Sequence, residues 1–160
     1  MMLLVLGIGQ SLRRDDGAGP AAVRLWSETY PHTSQNPSVE FKIVELPGLD
    51  LLNFLQDYQA AILVDAVQSG APPGTLHLLK ENDLEAFSAG TGSAHGWGVA
   101  ETLALGRKID PSSLPDQLFL IGIEGEDFSP GEYLSSTVSE KLPQAAQAIE
   151  NIIQSIVAQN

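Results

Sequence analysis

The chain contains no cysteine. Disulfides, thiolate metal centres and a cysteine nucleophile are therefore excluded. Cations are scarce: eight Lys and Arg face 20 Asp and Glu, for a net charge of −12. That balance argues against nucleic acid or an anionic membrane as the main partner, and is compatible with cationic partners or a metal. It is equally the balance of many ordinary acidic soluble proteins. No apolar stretch approaches membrane-spanning length, and the opening apolar run lacks a basic flank, so a cytoplasmic protein is expected. Histidines number three, His32, His77 and His95. Repeats, low-complexity segments and internal linkers are also missing, so residues 1–160 are expected to form one domain with a substantial core.

Several catalytic signatures are absent too. Gly7-Ile8-Gly9 is half of a dinucleotide fingerprint, but Leu12 stands at the third glycine position. Asp15 and Asp16 lie where a pyrophosphate would approach and would repel it. No Gly-Lys-Ser/Thr loop, His-Glu-x-x-His helix or Gly-x-Ser-x-Gly elbow occurs.

The stretch from Met2 to Pro20 organises the rest. Met2 to Leu6 is apolar without alternation, which predicts a strand buried on both faces. Gly7-Ile8-Gly9 turns the chain, and a helix is expected from about Gly17 to Tyr30, with Ala18, Ala21, Ala22, Leu25 and Trp26 inward. Asp15 and Asp16 stand at its mouth. One carboxylate suffices as a cap; a second beside it suits a functional site, although Arg13 and Arg14 could compensate it locally.

Residues 31–38 read as a loop in which His32 is exposed and idle. Val39 to Leu46 alternates and predicts a strand near a sheet edge; Leu49 to Tyr58 reads as a short amphipathic helix. Ala60 to Val67 is a second unbroken strand, hence central, and Asp65 stands at its carboxyl end, where open α/β sheets bind ligands. Asp65 either caps the following loop or joins Asp16 at one crevice. Thr75 to Lys80 predicts another strand, with His77 partly buried in it, and residues 81–87 a helical turn. Residues 88–93 are small and suit a mobile loop or a linker. His95 falls at or just before a helix start, where the dipole favours a neutral imidazole able to ligate metal; a structural role is equally open. Leu118 to Ile123 is a third buried strand, and Glu124, Glu126 and Asp127 read as a solvated acidic loop. Ser136 to Ala158 forms a terminal helix with Leu142, Ala146, Ile149, Ile153 and Ile156 inward, its first turns exposed to interruption by Pro143. The expected fold is a three-layer α/β/α sandwich with a mainly parallel twisted sheet.

Two carboxylates and one imidazole without thiolate make a borderline donor set suited to nickel, zinc or a related divalent ion, with open coordination positions. Their separations along the chain match no standard ligand spacing. Residues 7–19, Gly7-Ile8-Gly9-Gln10-Ser11-Leu12-Arg13-Arg14-Asp15-Asp16-Gly17-Ala18-Gly19, resemble the N-terminal signature of the nickel–iron hydrogenase maturation endopeptidases. That signature runs strand, Gly-x-Gly-Asn, then Asp-Asp/Glu-Gly-x-Gly. Val64-Asp65-Ala66 looks like the family's second acidic position and Ser93-Ala94-His95 like its histidine position, in the same order and over roughly the whole chain.

The resemblance implies an endopeptidase that removes a short C-terminal extension from a hydrogenase large-subunit precursor after nickel insertion. It implies that Asp16, Asp65 and His95 hold nickel supplied by the substrate, with no permanent cofactor, and that Asp15 is the cap or loop anchor. The catalytic residues stay unassigned. The partner is the precursor, with no nucleic acid or membrane, and a monomer fits docking on a large substrate. Two departures stand out. Gln10 replaces the usual Asn, and Glu45-Leu46-Pro47-Gly48 replaces a Gly-Gly-Thr-like turn, which makes Glu45 and Gly48 candidate substrate contacts. The alternative reading of the same ligands is a non-enzymatic nickel-binding or metal-delivery protein; a third is a plain α/β domain whose strand-end acids are incidental.

Overall fold

Strand β1 (Leu3–Ile8) is buried along its whole length. Its neighbours explain why. In the computed structural model, which describes residues 1–89 and 98–160, β1 pairs in parallel with β2 (Val39–Val44) on one side and β3 (Ala60–Val67) on the other. The sheet continues through β5 (Gln117–Glu124), parallel to β3, to β4 (Leu76–Lys80), which is antiparallel at the far edge. The order is therefore β2-β1-β3-β5-β4. Both edge strands carry exposed positions; β2 lies at an edge as its sequence predicts, but Phe41, one of its alternating apolar residues, is exposed.

Successive residues of the central strands serve opposite layers because side chains alternate across a sheet. Leu3 and Val5 of β1, Ile62 and Val64 of β3, and Ile121 and Ile123 of β5 pack against α1 (Ala18–Thr29) and α6 (Ser136–Ala158). Leu4, Leu6 and Ile8, with Leu63, Leu118 and Leu120, pack against α3 (Leu51–Leu55), α4 (Leu84–Ala89) and α5 (Val99–Ile109). The result is the expected three-layer α/β/α sandwich. A short α2 (Pro31–Ser34) links α1 to β2 within the segment expected to be loop, its proline at the first helical position.

Three further details differ from the sequence-based expectation. The helix expected over 49–58 ends at Leu55, because Gln56 is extended and Asp57 takes a left-handed φ of 70°. The amino end of α1 is preceded by a 3-10 turn, Arg14–Gly17, which carries both acids. Pro143 does not break α6: it lies on the exposed side, where water can replace the lost backbone bond. On the inward side of the same helix Glu150 is almost fully buried and satisfied. It accepts bonds from the indole N–H of buried Trp26 at 3.0 Å and from Thr33 Oγ1 at 2.7 Å.

Candidate functional site

The strand order reverses between β1 and β3. The chain leaves β1 for β2 on one side of it, then returns to lay β3 on the other. Ligand crevices of open α/β sheets form outside the carboxyl ends of strands at such a reversal. Asp65 lies there, in register with Ile8, the last residue of β1, and with Gly122 of β5. It follows Leu63 by two residues and so faces the α3/α5 side. Only 6% of Asp65 is exposed.

Asp16 reaches the same end of the sheet by a different route, and two glycines make that possible. Gly9 has φ 150°, and a Cβ there would stand 1.9 Å from the Asp16 carbonyl oxygen. Gly19, in the first turn of α1, is seated against the carboxyl ends of β3 and β1: a Cβ would stand 2.2 Å from Val64 O and 2.8 Å from Ile8 O. The 3-10 turn is thereby folded down over the ends of β1 and β3. Asp16 is 1% exposed, and its Oδ2 accepts a 2.8 Å bond from the backbone N–H of Gln10. Two buried carboxylates from separate elements thus occupy the carboxyl ends of β1 and β3.

Asp15, its neighbour, has another task. Its Oδ2 accepts from the N–H groups of Glu126 and Asp127 at 2.8 and 3.0 Å and from Ser135 Oγ at 2.8 Å, while Oδ1 accepts from Ser135 N at 2.8 Å. Ser135 caps α6. The carboxylate therefore sits at the amino end of a long helix, where the dipole favours negative charge. It ties the β1–α1 loop to the β5–α6 loop. The same pair of loops is joined by backbone bonds from Arg14 N to Gly131 O and from Gly131 N to Leu12 O.

Asp127 in that second loop is held below the ordinary carboxylate range, first by the Ser129 hydroxyl at 2.6 Å and then by Ser129 N–H at 2.9 Å, with Arg14 adding to it. Because its folded pKa is depressed, its contribution is present above the unfolded value and is lost as pH falls through the folded one. The expected result is a carboxyl NMR titration shifted to lower pH, moved back upward in Ser129→Ala.

Glu45 and Gly48 are exposed on the loop after β2, at the same end of the sheet and beyond β1 from Asp65. Gly9 N–H donates to Val44 O at 3.0 Å and holds that loop beside the β1–α1 loop. His95 lies outside the described residues. Among the described residues no three histidine, aspartate or glutamate side chains gather as a metal site; Asp16 and Asp65 are the two described members of the expected set.

Glu124 is not part of a solvated acidic loop. It ends β5, in register with Val67, and is 2% exposed. It accepts from Ser69 N at 2.8 Å and from Ser69 Oγ, and lies 3.1 Å from His77 Nε2. His77 in turn packs against Phe87 of α4, with ring centroids 4.9 Å apart and the ring planes tilted by 55°. This cluster pins the β3–β4 loop and edge strand β4 to β5, on the sheet face that Asp65 uses. The signal for it was an acid two residues past Gly122 at the end of an apolar run, the placement that singles out Asp65.

Residues 44–152 match the family described as HycI, hydrogenase maturation protease. The chain is 35% identical over 130 residues to the hydrogenase expression/formation protein HupD of Rhodobacter capsulatus, covering 79% of this chain and 60% of that protein. It therefore spans less than two thirds of that relative. In three dimensions it is similar to the hydrogenase maturating endopeptidase HybD from Escherichia coli, with TM-score 0.82 and 26% identity, covering 97% of this chain and 93% of that one. It is also similar to the [NiFe] hydrogenase maturation protease HybD from Thermococcus kodakarensis, with TM-score 0.71 and 26% identity, covering 95% and 99%.

Proposed function

Because the chain belongs to the hydrogenase maturation protease family, we propose that it is an endopeptidase that removes the C-terminal extension of a nickel–iron hydrogenase large-subunit precursor. The observation that carries this reading is the pair of buried carboxylates, Asp16 and Asp65, presented by separate elements at the strand-order reversal. Oxygen donors at such a crevice suit a divalent cation brought by the substrate, and His95 would complete the set with an imidazole. Nickel is here part of the substrate, and its presence licenses processing. A cation beside the scissile bond polarises the carbonyl or its attacking water. The protein's part is to hold Asp16 and Asp65 at fixed positions: the Gly9 and Gly19 contacts and the Gln10 N–H bond do so for Asp16, and the two flanking strands for Asp65.

Mass spectrometry of the precursor after incubation with the protein tests the reading. Nickel-loaded precursor is expected to lose its tail and nickel-free precursor to keep it. Asp16→Ala, Asp65→Ala and His95→Ala are expected to yield no detectable product. Unchanged processing by these variants would overturn the site assignment. Tight binding of free nickel without cleavage of any precursor would instead indicate metal delivery.

A further inference from the structure

At the carboxyl end of the sheet, four large apolar side chains are left in water on loops that the fold otherwise ties down. Leu12 is 67% exposed, Leu46 57%, Leu49 55% and Tyr133 76%. Leu12 follows β1, Leu46 and Leu49 follow β2, and Tyr133 follows β5. Backbone bonds join these three loops: Gly9 N to Val44 O couples the first to the second, and Gly131 N to Leu12 O couples the first to the third. The four residues therefore occupy neighbouring loops around the ends of β1 and β3, where Asp16 and Asp65 lie. Exposed apolar groups gathered on loops that are hydrogen-bonded to one another beside a crevice mark an interaction surface rather than the scattered apolar exposure of any protein.

Charge restricts what can cover them. Leu46 adjoins exposed Glu45, Leu49 adjoins exposed Asp50 and Tyr133 adjoins exposed Glu132, while Leu12 adjoins exposed Arg13, so three of the four apolar positions carry a carboxylate neighbour. The whole chain carries −12. An apolar surface fringed with carboxylates rejects an acidic partner and favours one whose apolar side chains alternate with lysine or arginine.

Resting on the function proposed above, we infer that Leu12, Leu46, Leu49 and Tyr133 form a docking rim for a segment of the precursor polypeptide in which apolar side chains are flanked by basic ones. A chain delivering a peptide bond to Asp16 and Asp65 approaches the end of the sheet at which these loops lie, within reach of the rim. Its apolar residues supply anchoring and its carboxylates supply orientation and speed of encounter.

The test uses the full chain and the nickel-loaded precursor, reading cleavage kinetics and, separately, precursor capture on a biosensor. Leu46→Asp/Leu49→Asp and Tyr133→Ala are expected to raise KM and weaken capture by about tenfold or more while kcat changes little. Glu45→Lys/Glu132→Lys is expected to slow association and flatten its salt dependence. Ile109→Asp, an equally exposed apolar position (71%) at the carboxyl end of α5, is the control and leaves both readings unchanged. Thermal melts of the rim variants should lie close to the parent because each substituted apolar side chain is more than half exposed. Wild-type cleavage with KM unmoved in the rim variants overturns the rim and leaves the protease reading standing. A wild type that neither captures nor cleaves the precursor overturns both. Concentration-dependent dimers in sedimentation, abolished by the leucine substitutions, would assign the rim to a second copy of the chain and overturn the precursor as occupant.

Discussion

An Asp15→Ala chain should be less stable by about 3 kcal/mol, and its melting temperature lower by about 6–12 °C. The carboxylate is fully buried and accepts four hydrogen bonds, three from backbone N–H groups and one from a hydroxyl. Net contributions of bonds to a charged acceptor exceed those of neutral pairs, and removing the acceptor strands the donors of Glu126, Asp127 and Ser135. The loss falls on the junction of two loops and on Ser135 at the amino end of α6, so it should spread beyond the site of substitution. Asp16 is the next residue in the same 3-10 turn, and processing should fall with stability. Asp15→Asn should lie between parent and alanine. An amide oxygen can replace the oxygen that serves Glu126, Asp127 and the Ser135 hydroxyl, but the amide nitrogen then opposes the Ser135 N–H. Thermal melts of the three proteins at neutral pH check this order. A melting temperature for Asp15→Ala within about 2 °C of the parent would show that water takes over the four donors without cost.

That division between adjacent acids bears on what sequence can show. Spacing alone cannot say whether Asp15 or Asp16 caps, because either carboxylate can reach free N–H groups at a helix start. Asp15's partners are residues 126, 127 and 135, which local pattern cannot foresee. The strands were legible for the opposite reason. Leu3–Ile8 and Ala60–Val67 are apolar throughout because each is buried on both faces, and burial of that kind writes itself into every position. The same logic marks Asp65, a charge where the run should have stayed apolar. Glu124 carries an equal signal, yet with Glu126 and Asp127 following it, composition assigns all three to one solvated loop. Only the cross-strand neighbours separate them. His77 on antiparallel β4 and Ser69 on the β3–β4 loop close over Glu124, while Glu126 and Asp127 stay exposed. The short elements were least legible. Helix α3 stops after five residues because of the backbone at Gln56 and Asp57, not because the apolar period ends.

Gly19→Ala is expected to be the most damaging single methyl group in the chain's first turn of helix. Its Cβ would stand 2.2 Å from Val64 O, 2.9 Å from Val64 C and 2.8 Å from Ile8 O. All three are backbone atoms of paired strands, so none can turn aside as a flexible side chain would. Relief must come from lifting α1 off the sheet, which opens the contact of Ala22, Val23 and Trp26 with β1 and β3. Overpacking of this kind costs about 3 kcal/mol and should lower the melting temperature by about 6–12 °C. Lifting the helix also carries the Arg14–Gly17 turn and Asp16 away from Asp65, so residual folded protein should process poorly. Gly48→Ala is the contrast that separates crowding from backbone strain. Gly48 has φ 52° but nothing within 4 Å of a Cβ, so alanine there meets only the left-handed penalty, about 1 kcal/mol. If the two substitutions prove equally mild, the helix is not seated on the strand ends as closely as these distances require, and Asp16 needs another support.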